Sequence, residues 1–279
     1  MTYPRLFAVA ENGWTSESQQ NFDDFINRLQ PQLERLEHKN VRYAKSVFNP
    51  KIYQKGKGSS IEVTLEAEFS NPDVRYTLDG STPTAKSTPY TGPFTLTETK
   101  TIKAAIFQAG EQLGDIIEAS FPIHKAAGAQ VTYNLPFSKK DEAAKEQALT
   151  DLNYGFFDKP DNWQGFSNNL DVTLTLKEAI DIEEITVTSR RYTIIGQYPP
   201  VRFEILGSSD GKTFKTIGSL DNAEVATTQG RNIIKTKIPC PAKGIKEIRV
   251  KADILNLIPE GHHRAWAKSY LKIDEIVVN

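Results

Sequence analysis

Residues 74–84 read Val74-Arg75-Tyr76-Thr77-Leu78-Asp79-Gly80-Ser81-Thr82-Pro83-Thr84. Val74, Tyr76 and Leu78 alternate with Arg75, Thr77 and Asp79, which gives a strand one apolar and one polar face. Asp79-Gly80 supplies the side-chain acceptor and the permissive backbone of a tight turn. Pro83 has no N–H for a ladder, so pairing is expected to stop before it. Outward from this stretch, Phe94-Thr95-Leu96 and Thr101-Ile102-Lys103-Ala104-Ala105-Ile106-Phe107 read as two further strands. The residues alone predict a hairpin-rich β domain of roughly 75 residues.

A chain of 279 residues has room for about two domains. Hydrophobic residues make up 38% and charged residues 25%, and the formal net charge is −1. No basic stripe with interleaved aromatics is present, so nucleic acid is not an expected partner. No run of about 18 apolar residues is present either, so no membrane-spanning helix is expected. The start, Met1-Thr2-Tyr3-Pro4-Arg5, lacks the charged-then-apolar pattern of a signal peptide. Cys240 is the single cysteine, which excludes an intrachain disulfide and a cysteine metal cluster.

Residues 3–14 predict a short helix with Leu6, Ala10 and Trp14 on one face. A second helix is expected to be capped by Thr15 or Ser16 and to be kinked or restarted at Pro31. Its stripe, Phe22, Phe25, Ile26, Leu29, Leu33 and Leu36, must be covered. Either the following β domain covers it or a larger partner does. Lys125-Ala126-Ala127-Gly128-Ala129 reads as a small-residue linker. From about residue 130 the pattern is again all β, with alternation at Asp171–Leu176 and strands at 200–205, 248–252 and 273–278. Many short strands with regular turns imply a sandwich or jelly roll.

Tyr76–Thr84, Ser87-Thr88-Pro89-Tyr90-Thr91-Gly92-Pro93 and Thr101–Ala105 together resemble the Ig-like sandwich that follows the catalytic barrel in bacterial β-N-acetylhexosaminidases of glycoside hydrolase family 20. Pro4-Arg5-Leu6, Ala10-Glu11, Gly13-Trp14-Thr15, Phe25 and Arg28-Leu29 resemble the last helices of that (β/α)8 barrel. Leu149-Thr150-Asp151, Trp163–Phe166, Ser209–Phe214, Trp266 and Asp274-Glu275-Ile276 resemble a discoidin domain, the fold of family 32 carbohydrate-binding modules. The expected class is therefore mainly β. Residues 1–48 are barrel-end helices, 49–124 an Ig-like β-sandwich, 125–129 a linker, and 130–279 a discoidin-like β jelly roll. On this resemblance Met1 lies inside a longer protein.

The resemblance implies a chemistry for each region. Family 20 enzymes use an adjacent Asp-Glu pair, but that pair belongs to a barrel loop upstream of the retained segment. Asp274-Glu275 lies in a strand, where neighbouring side chains point to opposite faces, so it is not carried over and no catalytic residue is assigned. Discoidin domains imply a structural Ca²⁺, with Asp151, Asn153 and Glu275 as its oxygen ligands, although the family usually has Asp-Gly where this chain has Asp151-Leu152-Asn153. No other cofactor is required. Sugar binding needs an aromatic face and fixed polar donors on loops, for which Trp163, Arg191, Tyr192, Tyr198, His263 and Trp266 are the candidates. Trp163 and Trp266 equally suit packing within the domain.

The expected function is the non-catalytic C-terminal part of a β-N-acetylhexosaminidase, inactive alone. It would brace the barrel in cis and bind a glycan ending in N-acetylhexosamine or galactose, in the periplasm or outside the cell. The competing reading is a free-standing carbohydrate-binding or adhesion module.

Overall fold

A computed structural model describes residues 3–138, 147–157 and 162–279. The chain forms two compact units: Met1–Tyr53, Val63–Phe94 and Thr99–Phe121 in the first, and Gln54–Glu62, Thr95–Glu98 and Pro122–Asn279 in the second. Both are β-rich, and the two longer helices lie in the N-terminal region, as the residue patterns predict.

Helices α1 (Arg5–Trp14) and α2 (Phe22–His38) open the first unit. α2 starts later than the sequence pattern predicts. Asn21 Oδ1 accepts the Asp24 N–H at 3.0 Å, and Asp23 and Asp24 sit at the positive end of the helix, so this is the better cap. Residues 17–19 form a separate 3-10 turn. The helix runs through Pro31 without restarting. A mid-helix proline costs about 3 kcal/mol, and the buried stripe offsets it. Ile26, Leu29 and Leu33 cluster with Phe48, and Phe69 and Leu113 of the sandwich pack on this cluster. Asp23 fastens the helix by accepting the Ser70 N–H at 2.8 Å and the Ser70 hydroxyl at 2.6 Å. The sandwich thus helps to cover the centre of the α2 stripe, Ile26, Leu29 and Leu33, while Phe22 stays exposed.

The sandwich strands are β1 (Lys51–Gly56), β2 (Ile61–Glu66), β3 (Asp73–Thr77), β4 (Thr88–Pro89), β5 (Phe94–Leu96), β6 (Lys100–Gln108), β7 (Glu111–Gln112) and β8 (Ile117–Phe121). They form one sheet of order β1-β2-β5 and another of order β4-β3-β6-β7, with β8 also paired to β6. Val63, Leu65, Val74, Ile102 and Ile106 are buried, so alternate positions face inward. After β3 the predicted turn is present: Asp79 Oδ1 accepts the Ser81 N–H and hydroxyl, and Gly80 has φ +78°. Tyr76 stacks on Phe94 at 4.7 Å.

In the second unit, β9 (Gln130–Tyr133), β10 (Gln164–Phe166), β11 (Leu170–Tyr192), β12 (Arg202–Ser208), β13 (Lys215–Asp221), β14 (Arg231–Asp253) and β15 (Leu271–Val278) make one sheet. Its order is β10-β15-β11-β14-β12-β13, with β9 also on β11. A short helix, α3 (Ala223–Thr227), precedes β14. β11 and β14, each 23 residues long, pair antiparallel with register shifts between Thr175 and Glu184. Bulges bend strands. The two halves thereby enclose a single core that includes Leu174, Val187, Phe203, Ile248 and Ile276. This is the discoidin-like jelly roll. Asp210 ties its corner by accepting the Lys212 and Thr213 N–H groups, and these donors pull its carboxyl down to about 2.

The residues read as a linker are part of this unit. Ala126 and Ala129 belong to its core, and Lys125 N–H donates to Val278 O. Their small side chains serve close packing. Gly56 is under the same kind of constraint: a Cβ there would lie 1.8 Å from Asp151 O. Gly56→Ala should therefore destabilise the second unit by about 3 kcal/mol, measured as a lower urea midpoint. An unchanged midpoint would show that the loop yields freely.

Candidate functional site

β11 ends at Tyr192 and passes into a 3-10 turn over Thr193–Ile195. Gly196, at φ +82°, closes the turn in a conformation that favours glycine. The chain then doubles back, with Tyr192 N–H donating to Gln197 O at 3.1 Å and Gln197 N–H to Tyr192 O at 3.2 Å. Gln197 also bridges to Tyr270, at the entry to β15. The loop from β14 to β15 is pinned by Ile258 N–H to Ala267 O and by Trp266 N–H to Ile258 O. Arg264 reaches from this loop to donate to Ile195 O.

These segments enclose an open cleft of about 460 Å³, lined by Ser167, Ile195, Gln197, Arg264, Lys268, Ser269 and Tyr270. Gln197 is 8% exposed and Ser269 is 2% exposed, and neither Gln197 Oε1 nor Ser269 Oγ has a hydrogen-bond partner. A buried polar atom without a partner costs about 1–3 kcal/mol. Trp266, in the same loop, is 65% exposed and sits at φ +66°. A left-handed backbone at a non-glycine residue costs roughly 1 kcal/mol, so the loop holds an aromatic face outward at a cost.

The six sugar-binding candidates separate. Trp163 is fully buried, donates Nε1–H to Phe156 O at 3.0 Å and packs so tightly on Gly155 that a Cβ there would come within 2.4 Å of its ring. Tyr198 is buried too. Neither exposes a ring face to solvent in this structure. Arg191 is also buried and donates to Val225 O. Tyr192 is half-buried beside Phe157, with the Arg190 and Arg231 guanidiniums 5.8 and 5.3 Å from its ring and 4.6 and 4.7 Å from that of Phe157. His263 is exposed and lies 4.4 Å from His262. Only Trp266 and His263 remain on an open surface of this loop. Gln197, Lys268 and Ser269 were not distinguishable in the sequence, because nothing local marks a glutamine whose amide is buried beside a cleft.

The calcium candidates accept N–H groups. Asn153 Oδ1 accepts the Gly56 N–H at 2.8 Å, and Asp151 Oδ1 accepts the Asn153 N–H at 2.9 Å. Glu275 Oε1 accepts the Leu152 N–H at 3.1 Å and lies 2.8 Å from His124 Nε2. Val278 N–H donates to His124 Nδ1 at 3.4 Å, which leaves Nε2 as the protonated nitrogen that donates to Glu275. A calcium ion needs six to eight oxygens, and here one oxygen of each candidate already accepts an N–H. No set of three or more Asp, Glu, His or Cys side chains suited to a metal ion exists among the described residues. The side chains therefore fit the ion poorly. Leu152 has a positive φ, +62°, a conformation that favours glycine, and its side chain is fully buried.

Asp274 and Glu275 are both buried. Asp274 accepts the Gly155 N–H at 2.8 Å. Burial pushes the Asp274 carboxyl up to about 8 and the His124 imidazole down to about 4, and it raises Glu275 well above the carboxylate range. The folded Asp274 keeps a proton that the unfolded chain loses near 3.8, so its contribution falls as pH rises from there to about 8. His124 has the opposite sign: its contribution is complete above 6.5 and is lost as pH falls toward about 4. Above pH 6.5 only the carboxyls act. The melting temperature should therefore fall between pH 6.5 and 8, and Asp274→Asn should lessen that slope. The same slope in the variant would mean that Asp274 is ionised in the fold.

Residues 54–118 match the family described as the Chitobiase/beta-hexosaminidase C-terminal domain. A curated beta-hexosaminidase of Porphyromonas gingivalis is 30% identical over 196 residues, which cover 66% of this chain and 24% of that protein. The chain thus spans about a quarter of the length of the curated relative it matches. Among solved structures it is similar to CpGH89CBM32-5 from Clostridium perfringens, determined in complex with GalNAc-β-1,3-galactose (12% identity, 55% of this chain and 96% of that one, TM-score 0.37). It is also similar to the C-terminal domain of a chitobiase from Bacteroides fragilis (13% identity, 54% and 93%, TM-score 0.33). The likeness to the C-terminal region of a β-N-acetylhexosaminidase, with the chitobiase/beta-hexosaminidase C-terminal domain at residues 54–118, is borne out by these matches.

Proposed function

We propose that this chain is the non-catalytic accessory region of a β-N-acetylhexosaminidase and that its jelly roll binds carbohydrate in the cleft beside Trp266. One observation carries the binding reading: Gln197 and Ser269 line an open cleft, and their buried Oε1 and Oγ have no hydrogen-bond partner. Sugar hydroxyl and acetamido groups supply the donors and acceptors these atoms lack, and the outward indole offers a face to the apolar side of a pyranose. Ligands ending in N-acetylhexosamine or galactose fit this chemistry.

The accessory role rests on the domain match and on the short share of the hexosaminidase relative that the chain spans. Helical residues 1–48, a sandwich over 49–124 and a jelly roll over 130–279 are the proposed functional segments. α1 has no buried residue and exposes Leu6, Val9 and Trp14, so a catalytic (β/α)8 barrel in cis is its proposed covering, with the sandwich bracing that barrel. A periplasmic or extracellular setting follows from a glycan substrate. Among the described residues no helix is long and apolar enough to cross a membrane. At Glu275, N–H donors are proposed to do the work that an ion does in related folds.

Two measurements test these readings. In titrations with N-acetylgalactosamine-, N-acetylglucosamine- and galactose-terminated oligosaccharides, at least one should bind, and Trp266→Ala should weaken it about tenfold. Gln197→Met removes an unpaired buried polar atom at nearly constant volume, so it should weaken binding while leaving or raising the melting temperature. Equal losses of folding and binding would mark Gln197 as structural only. Adding a chelator should leave the melting temperature unchanged, and a marked drop would restore calcium at Asp151, Asn153 and Glu275.

A further inference from the structure

The charge of the cleft narrows its ligand. Arg264 and Lys268 both line it, and no acidic residue does. Lys268 is exposed and makes no ion pair among the described residues. The Arg264 guanidinium donates to the Ile195 carbonyl, a neutral group, and lies against Gly196, where a Cβ would sit 3.3 Å from Nη1. Other basic residues of the chain face carboxylates: Arg28 pairs with Glu11 and Asp24, Arg249 with Asp171, and Lys251 with Glu204. With a net charge of −1 over the whole chain, two cations gathered at one cleft without a carboxylate are a local excess.

Two residues that line the same cleft, Gln197 and Ser269, carry buried atoms without partners, Oε1 and Oγ. They ask for a hydroxyl or amide group, and the cations ask for an anion. We infer that the preferred ligand is an anionic pyranose, a sugar ring bearing a carboxylate or a sulfate. Its hydroxyls meet Gln197 and Ser269, and its charge lies between Arg264 and Lys268. This inference rests on the reading of the cleft as a sugar site. Arg264 presents a planar fork suited to a carboxylate or sulfate edge, and Lys268 adds a mobile point charge. Salt screens charges at an open surface, so the preference is ionic-strength dependent.

The test is a titration of the full chain at low and at raised salt with three ligand sets: neutral galactose- and N-acetylgalactosamine-terminated disaccharides, their 6-sulfated forms, and uronate-terminated disaccharides. The anionic sets should bind about tenfold tighter than the neutral set at low salt. Added salt should shrink this advantage. Lys268→Gln, a change at an exposed residue checked by an unaltered melting temperature, should narrow the gap between anionic and neutral ligands. Comparison of the sulfated and uronate arms identifies which anion the cleft takes. Equal affinity for anionic and neutral ligands, unmoved by salt or by Lys268→Gln, would overturn the anionic preference and leave the sugar site standing. No binding of any of the three sets would overturn the sugar site itself, and the preference with it.

Discussion

The bend shared by β11 and β14 is the constraint on which the second unit depends. A straight strand of 23 residues would hold its ends roughly 70 Å apart. Yet Ser167, three residues before β11, and Gln197, five residues after it, line one cleft. The register shifts between Thr175 and Glu184 make this possible. They turn the strand pair over the core, so both ends of β11 return to the same region as the loop from β14 to β15. Without the bulges there would be a flat sheet with an exposed apolar face and no cleft.

A second constraint lies at the end of the chain. Asp274 and Glu275 on β15 are buried, and backbone donors from residues 152 and 155 converge on them together with His124. The arrangement ties the stretch entering the second unit, the loop near 150 and the last strand into one hydrogen-bonded cluster. Desolvation moves all three ionisable groups toward neutrality, which keeps charge out of a water-free interior. Partial loss of any member leaves a buried polar group without a partner, and that is costly.

The accessory reading and the binding reading rest on different parts of the molecule. The first unit carries most of the match to the hexosaminidase C-terminal domain and a helix, α1, with exposed apolar residues. The second carries the cleft. α2 does not share the position of α1: its Ile26, Leu29 and Leu33 are already buried with Phe48, Phe69 and Leu113, and Asp23 holds it to Ser70. A helix segment that could have served the barrel alone is thus divided, one helix packed on the sandwich and one facing outward.

The sequence by itself determined the β periodicity of both units, the Asp79-Gly80 turn, the Asp210 corner and the likeness to a hexosaminidase C-terminal region. Each is local: strand alternation has a period of two, turns are set by one or two residues, and family landmarks are contiguous motifs. It also marked Trp266 as an aromatic that either binds or packs. Tertiary structure set which indole is exposed, because exposure is a property of neighbours distant in sequence. Trp163 closes on Gly155 while Trp266 is held outward by its pairing with Ile258. Tertiary structure alone also revealed Gln197 and Ser269 as unpartnered atoms at a cleft, and it turned the Ala126–Ala129 stretch from an apparent linker into core. Side-chain types announce what a residue can do; only the closing of the sheet on itself sets which partners each one is left without.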